Sequence, residues 1–164
     1  MPEVFVGIGS NVAPDRHLAA GLRALASHFG VLRLSPVYRN SAVGFEGEDF
    51  LNMVVAFDTE DPVEEVAAAL ARIESANGRT RNEARYSART LDLDLLLYGD
   101  LVIRTGELQL PREEVTHHAF VLKPLADLAG DLVHPVLGQS YAELWNQFDA
   151  ARHPLQRVHP NLLD

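Results

Sequence analysis

Two aspartates, Asp92 and Asp94, stand one residue apart in "LDLDLLLY" (91–98), a run otherwise made of leucines and a closing tyrosine. On an extended chain this spacing places both carboxylates on one side. Leu91, Leu93, Leu95 and Leu97 fall on the other, while Leu96 and Tyr98 continue the aspartates' own side. Aspartate is a poor strand former, and like charges roughly 7 Å apart on one sheet face repel unless cations lie between them. A solvated strand face is the alternative that spacing alone leaves open. Immediately upstream, "RTRNEARYSAR" (79–89) carries Arg79, Arg81, Arg85 and Arg89 with no apolar period. Carboxylates bind hard cations such as Mg2+, which commonly takes only one or two of them and leaves its other positions to water and phosphate oxygens. Guanidinium groups fork onto phosphate oxygens. Together these groups are the ingredients of metal-assisted phosphoryl transfer.

The surrounding elements read as follows. "VFVGIGS" (4–10) is a short strand closing on Gly9, Ser10 and Asn11. Pro14 suits a first helical turn, and Leu18, Leu22, Leu25 and Phe29 form the stripe of an amphipathic helix ending at Gly30. "VLRLSPVYR" (31–39) alternates as a strand in which Pro36 marks an edge or a bulge, and a glycine-containing loop leads to a strand at 50–59. Asp61 and Pro62 read as N-cap and first position of a second helix carrying Val63, Val66, Ala67, Leu70 and Ile73. After the arginine-rich loop, "LDLDLLLY" and "LVIR" flank Gly99 and Asp100 as a hairpin, and short helices follow near 112–118, 121–129 and 140–149. The order strand, helix, strand, strand, helix, strand predicts a ferredoxin-like α+β fold, an antiparallel sheet with helices packed on one face.

The 164 residues suffice for one domain with a real core and are too few for two comfortable ones, so a single domain over 1–164 is expected. A formal charge of −9 argues against nucleic-acid binding, which draws its affinity from surplus Lys and Arg. The absence of cysteine excludes disulfides, zinc thiolates and thiol nucleophiles. With no basic leader in "MPEVFVGIGS" and no apolar run of the roughly 20 residues a membrane span needs, a soluble cytoplasmic protein with no membrane partner is expected.

Over about residues 3–145 the chain resembles the 6-hydroxymethyl-7,8-dihydropterin pyrophosphokinase family of folate biosynthesis. The resemblance runs through "GIGSN" (7–11), "FLN" (50–52), "IE" (73–74), "GRTR" (78–81), "RTLDLDLLLYG" (89–99), "FVLKPL" (120–125) and "HP" (134–135), with "RTLDLD" the specific segment. It implies a ferredoxin-like fold and transfer of diphosphate from ATP to the pterin hydroxymethyl group, with AMP leaving. By the same resemblance Asp92 and Asp94 would hold two Mg2+ ions, with Asp94 also a candidate proton acceptor. Arg79 and Arg89 would contact the phosphates as a loop closes, and Glu74, Arg81, Tyr86, Leu95, Arg112 and His118 would serve the nucleotide. The pterin would stack between Phe50 and Phe120 and be read at its edge by the Asn52 side chain and by backbone groups of Asn40, Ser41, Ala42 and Val43. Outside the resemblance, both phenylalanines read as core and Glu74 as a helix-face residue.

The chain departs from the commoner family pattern at several places. Tyr86 stands where tryptophan is frequent, Ser87 and Ala88 replace Gly and Pro, and Asn82 replaces a basic residue. Ser41 and Ala42 occupy places often held by proline, and Arg112 and His118 stand where His and Arg are usual. These changes bear on affinity and rate more than on reaction type. His134 reads as a turn residue, Trp145 as core, and the segment from about 146 as a tail beyond the resemblance. Two other readings fit the residues: a different two-metal nucleotidyl-transfer enzyme, and a non-catalytic pterin or nucleotide-binding module. Protein partners are not legible.

Overall fold

The computed structural model describes residues 1–40, 49–78 and 90–162. In chain order its elements are β1 (Glu3–Ser10), α1 (Pro14–Phe29), β2 (Arg33–Leu34), β3 (Val37–Asn40), β4 (Phe50–Asp58) and α2 (Val63–Ala76). There follow β5 (Asp92–Tyr98), β6 (Ile103–Thr105), β7 (Leu108–Leu110), α3 (Glu114–His117), α4 (Ala119–Ala129), α5 (Tyr141–Gln147), a 3-10 turn at Ala150–Arg152 and β8 (Gln156–Val158). The fold is α+β. The main sheet runs β5-β1-β4-β3-β8 with β2 also on β4, and every pairing in it is antiparallel.

Alternation along the strands builds two apolar layers. Val4, Val6 and Ile8 of β1, Met53, Val55 and Phe57 of β4, and Leu93 and Leu95 of β5 pack on Leu18, Leu22 and Leu25 of α1 and on Val63, Val66 and Leu70 of α2. Phe5, Val54, Ala56, Leu96 and Leu97 form the opposite layer with Val115, Val121, Leu122, Leu125 and Tyr141. Helices therefore cover both faces of the sheet, and not one as the element order predicts. The second layer comes from α3, α4 and α5, the helices read near 112–118, 121–129 and 140–149, which follow the strand-helix order that predicted one covered face. Burying each of these leucines fully contributes about 2 kcal/mol.

Three local expectations are corrected. Leu97 does not share a face with Leu91, Leu93 and Leu95. Val6 pairs with Leu95 and Phe5 with Leu97, so Leu96 is an extra residue, a β-bulge after which Leu96 and Leu97 both join the α4 layer. Tyr98 correspondingly turns to the α1/α2 layer and donates its hydroxyl to the Asp61 carbonyl at 2.6 Å. Second, β5 makes no hairpin through Gly99. The chain turns away there, with φ +53 at Gly99, and the hairpin forms one step later between β6 and β7 around Gly106, φ +58. Third, Pro62 itself is the N-cap of α2 and no side chain caps that helix, since the Asp61 carboxylate faces His28 instead, at 3.5 Å.

Pro36 lies between β2 and β3 and splits the predicted strand in two. The tail is not loose: β8 pairs with β3, and Val158 and Leu162 pack on the α1/α2 layer. His134 is a turn residue whose Nδ1 accepts the Val136 and Leu137 amides, both at 3.1 Å. Trp145 is partly buried against the α4 layer and stacks on Phe148.

Candidate active site

The carboxylate pair sits on an edge strand beside a bare stretch of its neighbour. In register, Asp92 faces Gly9 and Asp94 faces Gly7. On the far side of β1, Gly9 faces Asn52 of β4, and Asn52 in turn faces Tyr38 of β3. Directly opposed residues in antiparallel strands project to the same side. Tyr38, Asn52, Gly9 and Asp92 thus form one row across four strands, on the face covered by α4. Phe50 is two residues from Asn52 on β4, hence on the same side, and pairs with Asn40. Phe120, in the first turn of α4, packs half-buried against that layer and stacks on His118 with ring centroids 4.9 Å apart.

Burial, reinforced by repulsion from Asp92, pushes the Asp94 carboxyl up to about 7, while Arg112 opposes this and Glu74 and Glu114 add to it. The Arg112 guanidinium reaches Asp94 at 3.5 Å but gives its closer contact, 2.6 Å from Nε, to Glu114. Burial alone would raise the Glu114 carboxyl; the bond from Arg112 and its charge outweigh this and hold it low. Burial would likewise depress Arg112, yet the Asp94 and Glu114 carboxylates keep its proton more firmly bound. Among the described residues, Arg112 is thus drawn toward more than one carboxylate.

Two carboxylates side by side on one sheet face, one of them pushed toward its neutral form by burial and by the other, suit a divalent cation. Among the described residues no group of three or more His, Cys, Asp or Glu could hold a metal. A cage made wholly of protein ligands is therefore not formed by them, whereas Mg2+ needs only one or two carboxylates and completes its shell with water and phosphate oxygens.

A second region lies at the outer edge of β5. A cavity of about 530 Å³ opens between α2, β5 and the β6–β7 ribbon, and Glu74, Leu95 and Arg112 line it together with Leu70 and Leu108. Glu74 Oε2 also accepts the Leu93 amide at 2.7 Å, and the Arg112 amide donates to the Leu96 carbonyl at 3.0 Å. These two bonds occupy the edge of β5 that a further strand would otherwise fill.

Of the residues predicted for the site, Asp92, Asp94, Asn40, Phe50, Asn52 and Phe120 belong to the α4 face, while Glu74, Leu95 and Arg112 meet in the cavity. His118 stands beside Phe120 and not in the cavity wall. Ser41, Ala42, Val43, Arg79, Arg81, Tyr86 and Arg89 lie outside the described residues. Sequence reasoning missed Glu114, the partner of Arg112, and the Tyr38–Asp127 pair; it did name Asn40, which lies against the side chain of Asn52. The Asn52 amide donates to Asn40 Oδ1, and Tyr38 donates to Asp127 of α4, which is also held by Lys123 at 3.0 Å. The signal available for Gly9 was its place inside a strand pattern, where glycine marks close approach by another group.

Comparison with known proteins bears on this geometry. The sequence profile of 7,8-dihydro-6-hydroxymethylpterin-pyrophosphokinase (HPPK) matches residues 5–130. A 2-amino-4-hydroxy-6-hydroxymethyldihydropteridine pyrophosphokinase of Haemophilus influenzae is 34% identical over 164 residues, covering 98% of this chain and 100% of its own. The protein of the same name from Pseudomonas aeruginosa is 38% identical, over 80% of this chain and 83% of its own length. Among solved structures, Plasmodium falciparum HPPK-DHPS superposes with a TM-score of 0.70 at 13% identity, a likeness of fold. The match covers 90% of this chain but only 43% of that longer one. With a profile match over most of its length and relatives this similar end to end, the chain belongs to the 7,8-dihydro-6-hydroxymethylpterin-pyrophosphokinase family.

Proposed function

We propose that this single-domain chain transfers the terminal diphosphate of ATP to the hydroxymethyl group of 6-hydroxymethyl-7,8-dihydropterin, releasing AMP, with two Mg2+ ions held by Asp92 and Asp94. The observation that carries the reading is the placement of the paired carboxylates Asp92 and Asp94 and the amide of Asn52 on one sheet face, with Gly9 between Asp92 and Asn52. The strand order β5-β1-β4-β3, with α1 and α2 as connections, supports a ferredoxin-like description of the sheet.

The pterin edge pairs with the Asn52 carboxamide, which offers both a donor and an acceptor, and with backbone groups of Asn40, Ser41, Ala42 and Val43. Phe50 and Phe120 supply stacking faces. The nucleotide occupies the cavity at the β5 edge, against Glu74, Leu95 and Arg112, with Arg81, Tyr86 and His118 as further contacts. Its phosphates then reach round the edge of the sheet to the aspartates. Bound Mg2+ supplies charge neutralisation to the phosphates and lowers the pKa of the attacking hydroxyl. Arg79 and Arg89 add guanidinium charge to the transferring group, and Asp94 accepts the hydroxyl proton. Catalysis is positioning and electrostatic stabilisation, without a covalent intermediate.

The test is to mix the protein with ATP and Mg2+, with and without the pterin, and to measure AMP. AMP formed only with pterin is the expected result. Nucleotide turnover that ignores the pterin would indicate another nucleotidyl-transfer enzyme, and tight pterin binding without AMP a non-catalytic module.

A further inference from the structure

Gly9 lies between the two chemical halves of the row, with Asn52 on one side and Asp92 on the other. Neighbouring strands are about 4.8 Å apart, so the backbones carrying Asn52 and Asp92 are separated by about 10 Å. That gap has to admit the group that joins pterin to phosphate. A Cβ at Gly9 would stand 2.6 Å from Asn52 Oδ1, a separation that real Cβ atoms essentially never show, and 3.8 Å from the Leu51 carbonyl oxygen. Gly7 differs: the nearest atoms to a Cβ there would be those of the Leu96 side chain, at 3.5 Å and beyond, in ordinary contact. The carboxamide of Asn52 therefore lies over β1 at Gly9, while its Nδ2 is held from the β3 side by Asn40 Oδ1.

We propose that Gly9 and the Asn40 side chain are positioning residues for Asn52, fixing the plane and direction of the amide that reads the pterin edge and keeping the acceptor's hydroxymethyl path to Asp92 open. This rests on the reading of Asn52 as the pterin-edge group. An added methyl at Gly9 meets the end of a side chain and not backbone, so its first effect is to push the amide out of place while β1 stays paired. The consequence is selective: pterin recognition is lost, whereas the nucleotide cavity, on the other side of β5, is untouched.

The experiment measures equilibrium binding of 6-hydroxymethylpterin, followed by its own fluorescence, with Mg2+ and a nonhydrolysable ATP analogue present. Gly9→Ala is expected to weaken pterin binding by at least about tenfold, with analogue affinity and thermal midpoint unchanged. In an Asn52→Ala background, which has no carboxamide to displace, the same change costs less than about twofold. Asn40→Ala weakens pterin binding, and Asn40→Asp, which keeps the acceptor oxygen, retains it. Should Gly9→Ala prove unstable, the two Asn40 variants decide between the outcomes. Unaltered pterin affinity in Gly9→Ala, an equal loss in the Asn52→Ala background, or equal affinities for Asn40→Ala and Asn40→Asp would overturn the inference. Failure of the unaltered chain to bind the pterin would remove the functional reading and this inference together; binding that is indifferent to Gly9 removes the inference alone.

Discussion

On the α1/α2 side of the sheet, β1, β4 and β5 present Val4, Val6, Ile8, Met53, Val55, Phe57, Leu93 and Leu95 without a break. On the α4 side the same three strands present Phe5, Val54, Ala56, Leu96 and Leu97 over one half only. Over the other half that side carries Gly7, Gly9, Asn52, Asp92 and Asp94. The period of two lets one stretch of backbone serve a dry core and a wet site at once. The packed side fixes the strands in register, and the register fixes which polar groups meet. The proposed function assigns stability and chemistry to opposite faces, and substitutions on the two should then separate cleanly.

The largest effect is expected from Asp94→Ala. AMP release should fall by at least about 1000-fold, with no drop in thermal midpoint, because a carboxylate disfavoured by burial and by Asp92 has been removed. Retained activity would end the metal assignment. Next comes Phe57→Ala on the packed side, where the ring is fully buried and stacked on Phe29 at 4.1 Å. Denaturant unfolding should register a loss of about 3–5 kcal/mol, while kcat per folded molecule stays as it was. A parallel fall in kcat would break the division between faces.

Smaller effects are expected farther from the sheet. Ser140 Oγ accepts the Glu143 amide and Glu143 Oε1 accepts the Ser140 amide, a reciprocal cap at the start of α5. Ser140→Ala should cost about 1 kcal/mol without changing either substrate's KM. The smallest effect is a pH dependence. Burial, and then the charge of Arg104, holds the His134 imidazole below its ordinary 6.5. The unfolded chain therefore binds the proton first, so the His134 contribution is intact above 6.5 and declines as pH falls below it. The difference in thermal midpoint between about pH 8 and about pH 5.5 should be smaller in His134→Asn. An equal difference in the variant would leave the neutral turn ring without weight.

What could be read before the structure follows from range along the chain. β1, α1, β4 and α2 carry their own period and breakers, and the chemistry proposed for Asp92 and Asp94 is suggested by two residue types in an improbable place. The slip at Leu96 was illegible because three consecutive leucines satisfy either face equally. The hairpin at Gly99 was misplaced because turn chemistry says where a chain bends, while pairing is decided by which edge is already occupied, here by Glu74 and Arg112. β8 has too few residues for a pattern and exists only because β3 offers it an edge. Gly9 looked like the approach to a turn, and only the neighbouring strand reveals the amide lying over it. Segment 41–48 and the arginine-rich stretch 79–89 carry part of the expected site and lie outside the described residues.

The additional leucine in β5 also has a meaning for anyone who would graft this acidic dyad onto another scaffold. Copying Asp-Leu-Asp alone onto a regular border strand would orient the acids correctly but send the aliphatic residue three places after the second acid to the wrong layer. The irregularity has to travel with the dyad, because it is the joint at which the acidic half of the ribbon becomes a load of hydrocarbon for α4.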